Sequence, residues 1–353
     1  LVGGEIGIQA LDVEMRDSFL QGGIAEGLGI EGGQSGNIEL NVMSEFTISD
    51  GGIVNSVREG SIGNAGNVNV IAGEIEVNQG AELNTRTSGQ GNAGSVTVQG
   101  SGSIIFTGSG SDGLPSWALS SVRETGQGNA GTVRIVGNRV EVRDGAQLSS
   151  SSLGQGNAGT VIVEAQDTAI FSATNDKTQD FVTGAGSILI GRGRGGNVRV
   201  IANVIEIRDG AQLSSSTWGL GQAGNVTLEA AETVRLVNGD VFSTVEETGQ
   251  GDAGNIQVIG QRVEILGGAQ LSSSTRGQGN AGRINIQGTE AIILSGENAD
   301  GFPSAALSNV LEMGQGDAGE VNLFANVIEV RDGARLSSST WGLGQAGNVT
   351  LEA

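Results

Sequence analysis

The chain has 353 residues, 63 of them glycine and 2 proline, with 39 acidic and 18 basic side chains and a net charge of −21. That balance speaks against a nucleic-acid partner, which requires a basic face, and equally against an anionic membrane surface. Cysteine and histidine are absent, which removes disulfides and thiolate metal sites and leaves no imidazole to act as a general base.

Residues 1–35 are the least regular part and are expected to form one or two degenerate coils. Leu11-Asp12-Val13-Glu14-Met15 alternates like a strand, and Gly22–Gly33 is glycine-rich. The opening Leu1-Val2-Gly3-Gly4 is neither a start methionine nor a signal peptide. Both ends fall within the pattern, so the chain is expected to be part of a longer one. No apolar run approaches the roughly 18 residues of a membrane helix, and no membrane insertion is expected.

From Gly36 to Ala353 a glycine-rich turn recurs, clearest as GQGNAG at Gly126–Gly131. Its closing glycines stand at 36, 66, 94, 131, 159, 196, 224, 254, 282, 319 and 347, in steps of 30, 28, 37, 28, 37, 28, 30, 28, 37 and 28. Repeats of this period mark solenoids or propellers. A constant short unit alternates with a longer one. The stretches Arg208–Ala230 and Arg331–Ala353 differ only at Gln212 versus Arg335, so the duplicated element is a pair of units.

Each turn feeds alternating residues, as in Thr132-Val133-Arg134-Ile135-Val136. A short unit reads as three short strands and three corners. Alternation places Val133, Ile135, Val140, Val142, Ala146 and Leu148 on one side. Leu83, Leu148, Leu213, Leu271 and Leu336 then form one inward layer, filled by Val54 and Phe242 in the plain long units. Ser150, Ser215, Ser273 and Ser338 also point inward and need partners there. Asp144-Gly145, Asp209-Gly210, Asp332-Gly333, Asp50-Gly51 and Asn238-Gly239 mark a recurrent corner at which glycine supplies positive φ.

These features predict an all-β fold: a single-stranded, right-handed parallel β-helix of about eleven coils, short and long in alternation. Stacked at ~4.8 Å, the coils give a rod on the order of 50 Å long. A propeller is disfavoured, since its blades need four antiparallel strands and two alternating unit lengths would not close a ring. A calcium-loaded nonapeptide roll needs its aspartates every nine residues, and here they come once per coil. The handedness follows the crossover preference of parallel strands.

Seven-residue insertions distinguish three long units, around Gly108–Trp117, Ala173–Val182 and Gly296–Ser304. They leave the rod from one face. Each carries acids and an aromatic: Asp112 with Trp117, Asp176 and Asp180 with Phe181, and Asp300 with Phe302. They are candidate ligand-contact loops, with weak Ca2+ binding as the one cofactor their acids would allow; otherwise no cofactor is expected. The bland reading is insertions duplicated with their units. Trp218 and Trp341 lie in the third corner, either as sugar-stacking platforms or as shields for the turn. The outward Ser/Thr row, Ser149 and Ser151 among them, is interrupted by long units and does not make an ice-binding plane. The Arg143-Asp144, Arg208-Asp209 and Arg331-Asp332 pairs resemble pectin-cleaving chemistry only in composition. They define the repeat, whereas a catalytic site breaks one. No enzyme is expected, and GQGNAG lacks the lysine of a phosphate loop.

The GQGNAG and GQGDAG turns, the following Gly224-Asn225-Val226 or Gly131-Thr132-Val133, and DGAQLSSST at Asp209–Thr217 are similar to the repeats of filamentous-haemagglutinin-like exoproteins of the two-partner secretion type, especially the large cyanobacterial ones. The resemblance covers Gly36–Ala353. It implies a right-handed β-helix, export to the cell surface, and adhesion or surface structure. The family's secretion-signal domain is not found here, so no residue roles carry over. The expected function is a structural and adhesive rod on the cell surface, with glycans or proteins as partners and end-to-end self-association through open terminal coils. The alternative is a polysaccharide-binding or polysaccharide-cleaving β-helix.

Overall fold

A computed structural model describes residues 4–173 and 182–353. Among them there is no helix, and the chain winds as a parallel β-solenoid. Two sheets run the length of the stack. The larger has 16 strands and the smaller 11, with every strand pairing parallel to its counterpart in the next coil.

Two of the three expected strands merge. In the first coils they are separate, as at Ile38–Val42 and Glu45–Ser49. From Val133 onward each coil carries one long strand, such as Val133–Arg143 or Val161–Ser172, with a register shift between Gly137 and Arg139. In Val133–Arg143 only Gly137-Asn138 lies between the two segments, and a bulge there bends the strand and does not end it. The third side is the glycine turn itself, held by single bridges running Gln90, Gln127, Gln155, Arg192, Leu220, Gln250, Gln278, Gln315 and Leu343.

Alternation sets the core. One inward column runs Ile38, Val68, Val96, Val133, Val161, Val198, Val226, Ile256, Ile284, Val321, all fully buried. On the smaller sheet Leu83, Leu148, Leu213 and Leu271 stack as expected, with Leu336 partly buried on the last coil. Two residues expected in that layer lie elsewhere. Leu83 pairs with Ile53 and Leu213 with Val241, so Ile53 and Val241 fill the layer, not Val54 and Phe242. The plain long unit runs from Asn238-Gly239 to its strand with one residue fewer than Asp209-Gly210-Ala211, and one residue of slip turns each side chain to the other face.

Coils touch most closely at the closing glycines. A Cβ on Gly159, Gly196 or Gly224 would lie 2.0, 1.8 or 2.0 Å from the carbonyl oxygen of the previous coil's closing glycine. The inward serines use those same carbonyls. Ser150 donates to Gly131 at 2.6 Å, Ser215 to Gly196 at 2.5 Å and Ser273 to Gly254 at 2.6 Å. Ser338 donates likewise to Gly319. Several of these hydroxyls also accept from the glycine closing their own coil, as Ser243 does from Gly254 at 2.9 Å. Each such hydroxyl is a buried staple between successive turns.

Asparagines stack outside the staples. Asn92, Asn129 and Asn157 donate their backbone N–H to the side-chain oxygen of the residue one coil back, at 2.8, 2.8 and 3.0 Å. Asp252 and Asp317 serve as acceptors in the same ladder. The ladder uses only a carbonyl-type oxygen, which explains why GQGNAG and GQGDAG interchange. At the Asp-Gly corner the aspartate itself takes left-handed φ, 56° at Asp144 and 59° at Asp209, alongside its glycine. Its carboxylate receives a hydroxyl from the coil before, Ser172 on Asp209 at 3.3 Å.

Gly224→Ala is expected to destabilise the stack by about 3 kcal/mol or more, because the added methyl meets backbone that cannot yield. Gly333→Ala, at φ 83° with open space around it, costs about 1 kcal/mol. Denaturant melts of the two variants measure the difference, and equal losses would refute the close-approach argument. Ser215→Ala leaves the Gly196 carbonyl buried without its hydroxyl partner and is expected to cost about 1–3 kcal/mol.

Candidate functional site

Two inserted loops are described, and both are small hairpins at the corner between the larger and smaller sheets. Ser109 bridges Pro115, and Glu297 bridges Pro303, each antiparallel. Gly113 and Gly301 both have φ 80°, in the left-handed region that lets the tip reverse. The third insertion, with Asp176, Asp180 and Phe181, lies outside the described residues.

Superposing the two hairpins by sequence equates Asp112 with Asp300, Leu114 with Phe302 and Trp117 with Ala305. Asp112 is a turn former: its Oδ1 accepts the Leu114 N–H at 3.0 Å. In the other hairpin Asn298 plays that part, accepting from Asp300 at 3.1 Å and Phe302 at 2.9 Å. Trp117 is not at the loop tip. It begins the strand Trp117–Val122 and pairs with Glu82 and Gln147.

A residue type that sequence reasoning passed over closes each hairpin. Ser116 and Ser304, both fully buried, donate to Thr107 and Ser295 carbonyls at 2.8 Å across the neck. They accept the Gly80 and Gly268 N–H of the preceding coil at 2.9 and 3.0 Å. Thr183 accepts from Gly145 at 2.7 Å at the matching position. The repeated serine or threonine just before the third strand was the signal available.

Trp218 and Trp341 stand in one column at the far corner of the smaller sheet, 47% and 61% exposed. Both readings made the tryptophans corner residues, and that is where they lie. They are four coils apart, roughly 19 Å at the sheet spacing. Glu246 and Arg276 occupy the column between them and form an ion pair at 3.0 Å.

The Phe302 hairpin and Trp341 face each other across the smaller sheet. Between them lies a groove of about 470 Å³ whose floor is the outer face of that sheet, from Phe242 to Arg335. Phe302 is 58% exposed. Phe242, displaced from the core by the register slip, joins the floor. Ala305, almost fully buried, leaves the floor low where Trp117 stands in the other hairpin's coil. A smaller hollow of about 320 Å³ lies over Gly184 and Gly186. Phe302 and Trp341 therefore share one site, while Asp112, Trp117 and Trp218 do not belong to it.

The outward hydroxyls are already bonded to one another: Ser149 to Ser151 at 2.8 Å, Ser272 to Ser274 at 2.9 Å and Ser337 to Ser339 at 3.1 Å. Among the described residues no three acidic side chains gather as a metal site would require. The Arg-Asp pairs of the corner span neighbouring residues, with Arg208 and Asp209 3.3 Å apart and Arg331 and Asp332 2.8 Å apart. The Ser295 hydroxyl, together with Arg331, holds the Asp332 carboxyl below its ordinary range.

Asp240 precedes Phe242 on the same strand and occupies the column of Gln212 and Gln270. Burial pushes its carboxyl up from 3.8 to about 6, opposed by the Gln270 N–H that it accepts at 3.0 Å.

No family model, no curated protein and no solved structure matches the chain.

Because the folded-state pKa of Asp240 is raised, folding favours its protonated form. Its contribution is fully present below about pH 4 and is lost as pH rises through about 6, on the order of 3 kcal/mol. Asp240→Asn keeps the acceptor oxygen and is expected to flatten that decline and to be more stable than the parent at pH 7. A pH series of melting curves checks it; an Asn variant less stable than the parent at pH 7 would refute the assignment.

Proposed function

We propose that the chain is the rod-and-display region of a secreted cell-surface protein, serving adhesion or the assembly of a surface matrix. The carrying observation is the contrast between uniform coils and a few departures. Ten coil-to-coil contacts repeat the same glycine approach, while the departures, hairpins and exposed aromatics, fall around the smaller sheet and its borders. A scaffold of this kind gives reach and stiffness, since each coil touches only its neighbours. The likeness of the GQGNAG and DGAQLSSST segments to surface exoproteins points the same way for location.

A polysaccharide-cleaving role finds no support in the groove. Its one lining carboxylate, Glu246, is held by Arg276, whereas most glycoside hydrolases use a pair of carboxylates as acid and base or nucleophile. Polysaccharide binding without cleavage fits the groove and is compatible with an adhesive rod.

The test is a glycan array and bead adhesion assay with and without calcium. The parent is compared with a variant whose hairpins 108–116 and 296–304 are exchanged for the short Asp144–Ala146 corner, which keeps the register of Thr107 with Arg143 and Trp117 with Gln147. Binding by the parent, reduced about tenfold or more in the variant, is expected. Adhesion by neither form would overturn the adhesive reading and leave a spacer; a loss on adding EDTA would bring calcium into the contact.

A further inference from the structure

The groove between Phe302 and Trp341 has a composition unlike the rest of the rod. Its floor crosses four coils, from Phe242 through Gln270 and Ala305 to Arg335, a span of roughly 14 Å at the strand spacing. It runs along the rod axis, so an extended polymer would lie across the strands. The floor strands pair with one another, so a ligand lying along the floor meets side chains and not a strand edge; the open edge of Arg335–Ser337 is at the end of the sheet, beyond the floor. Recognition must therefore come from side chains: aromatic faces at the two walls, and amides, hydroxyls and arginine on the floor.

Arg335 is the residue that sets the chemistry. Arg208–Ala230 and Arg331–Ala353 are copies that differ at this position alone, with Gln212 in the earlier copy. Gln147, Gln212 and Gln270 hold the same column in other coils. The substitution thus places one cation in the groove of a chain whose net charge is −21. Arg276, the other arginine there, is paired with Glu246 at 3.0 Å. Arg331 is paired with Asp332. Arg335 makes no ion pair among the described residues. A guanidinium without an acidic partner among the described residues suits a planar carboxylate bidentately. The chain's overall negative charge does not prevent this, because fields beyond about 8 Å are screened at physiological ionic strength.

We propose that this groove binds a carboxylate-bearing polysaccharide, a chain of uronic acid units, with Arg335 on a carboxylate and with Phe302 and Trp341 against the apolar faces of sugar rings. This deepens the adhesive reading by naming the ligand class and the site, and it can fail while that reading stands.

The experiment is calorimetric titration of the whole chain with a defined oligouronate, its carboxyl-reduced neutral counterpart, a sulfated oligosaccharide and an oligoglutamate. Arg335→Gln restores the residue of the earlier copy, so its fold is expected to be intact, with the parent's melting curve as the control. Binding of the oligouronate is expected, weakened about tenfold or more by Arg335→Gln, as loss of a charged hydrogen-bonded contact implies, and severalfold by Phe302→Ala or Trp341→Ala. Failure of the oligouronate to bind, or its equal binding to Arg335→Gln, would overturn the proposal. So would equal or tighter binding of the neutral, sulfated or peptide probe. Bead adhesion that survives in Arg335→Gln beside such a failure would separate loss of this site from loss of the adhesive role.

Discussion

The structure depends on one close approach. The carbonyl oxygen of each closing glycine occupies the place where the next coil's Cβ would be. That position admits hydrogen and nothing larger. It fixes where successive turns can touch, and the serine staple then uses the same carbonyl, as Ser215 does with Gly196. Asn ladders line the outside of the same turn. Each contact is modest, about 1 kcal/mol net for an ordinary hydrogen bond. Their strength is repetition, because a stack of this kind sums nearest-neighbour terms. A chain only 37% hydrophobic suffices when each coil's inward residues land on the previous coil's.

How much of this the sequence reveals depends on how local the determining contact is. Alternation is local, so the inward set from Val133 to Leu148 is legible, and so is the burial of Ser150. The partner of Ser150 is not, because Gly131 is 19 residues away and reaches it only after the coil closes. Counting from a corner motif fails where the corner changes length. Asn238-Gly239 resembles Asp209-Gly210 in sequence, yet its strand starts one residue sooner, and Phe242 moves from core to surface. The same limit separates Trp117 from Phe302: both are aromatics near an insertion, but only Phe302 is within the hairpin. The groove is less legible still, since it joins Phe242 to Trp341 across four coils.

Insertions test the rod locally, at the neck and in the core. At the neck, Ser116 and Ser304 tie the hairpin to both its own coil and the one before. In the core, volumes are exchanged within the coil. Phe106 and Ala118, and Phe171 and Ala185, are buried in the two inward columns where the short coil from Gly131 has Val142 and Leu148. Swaps that conserve total volume are the tolerated kind.

A repeat built on such strict contacts leaves little freedom inside, and variation is pushed outward. Inward positions answer to the neighbouring coil and the glycine columns to its backbone, so neither can diverge without cost. Outward positions of the smaller sheet are bound less strictly, by contacts among side chains such as Ser272 with Ser274, and stay open to solvent or to a ligand. It is there that Gln212 becomes Arg335 in its copy, that Trp117 gives way to Ala305, and that the register slip delivers Phe242. None of these is required by the stack, since other coils with other residues at the same column stack equally well. A residue that the fold does not need, set in a hollow that the fold does not need, is where the physical account of folding ends and recognition supplies the remaining reason.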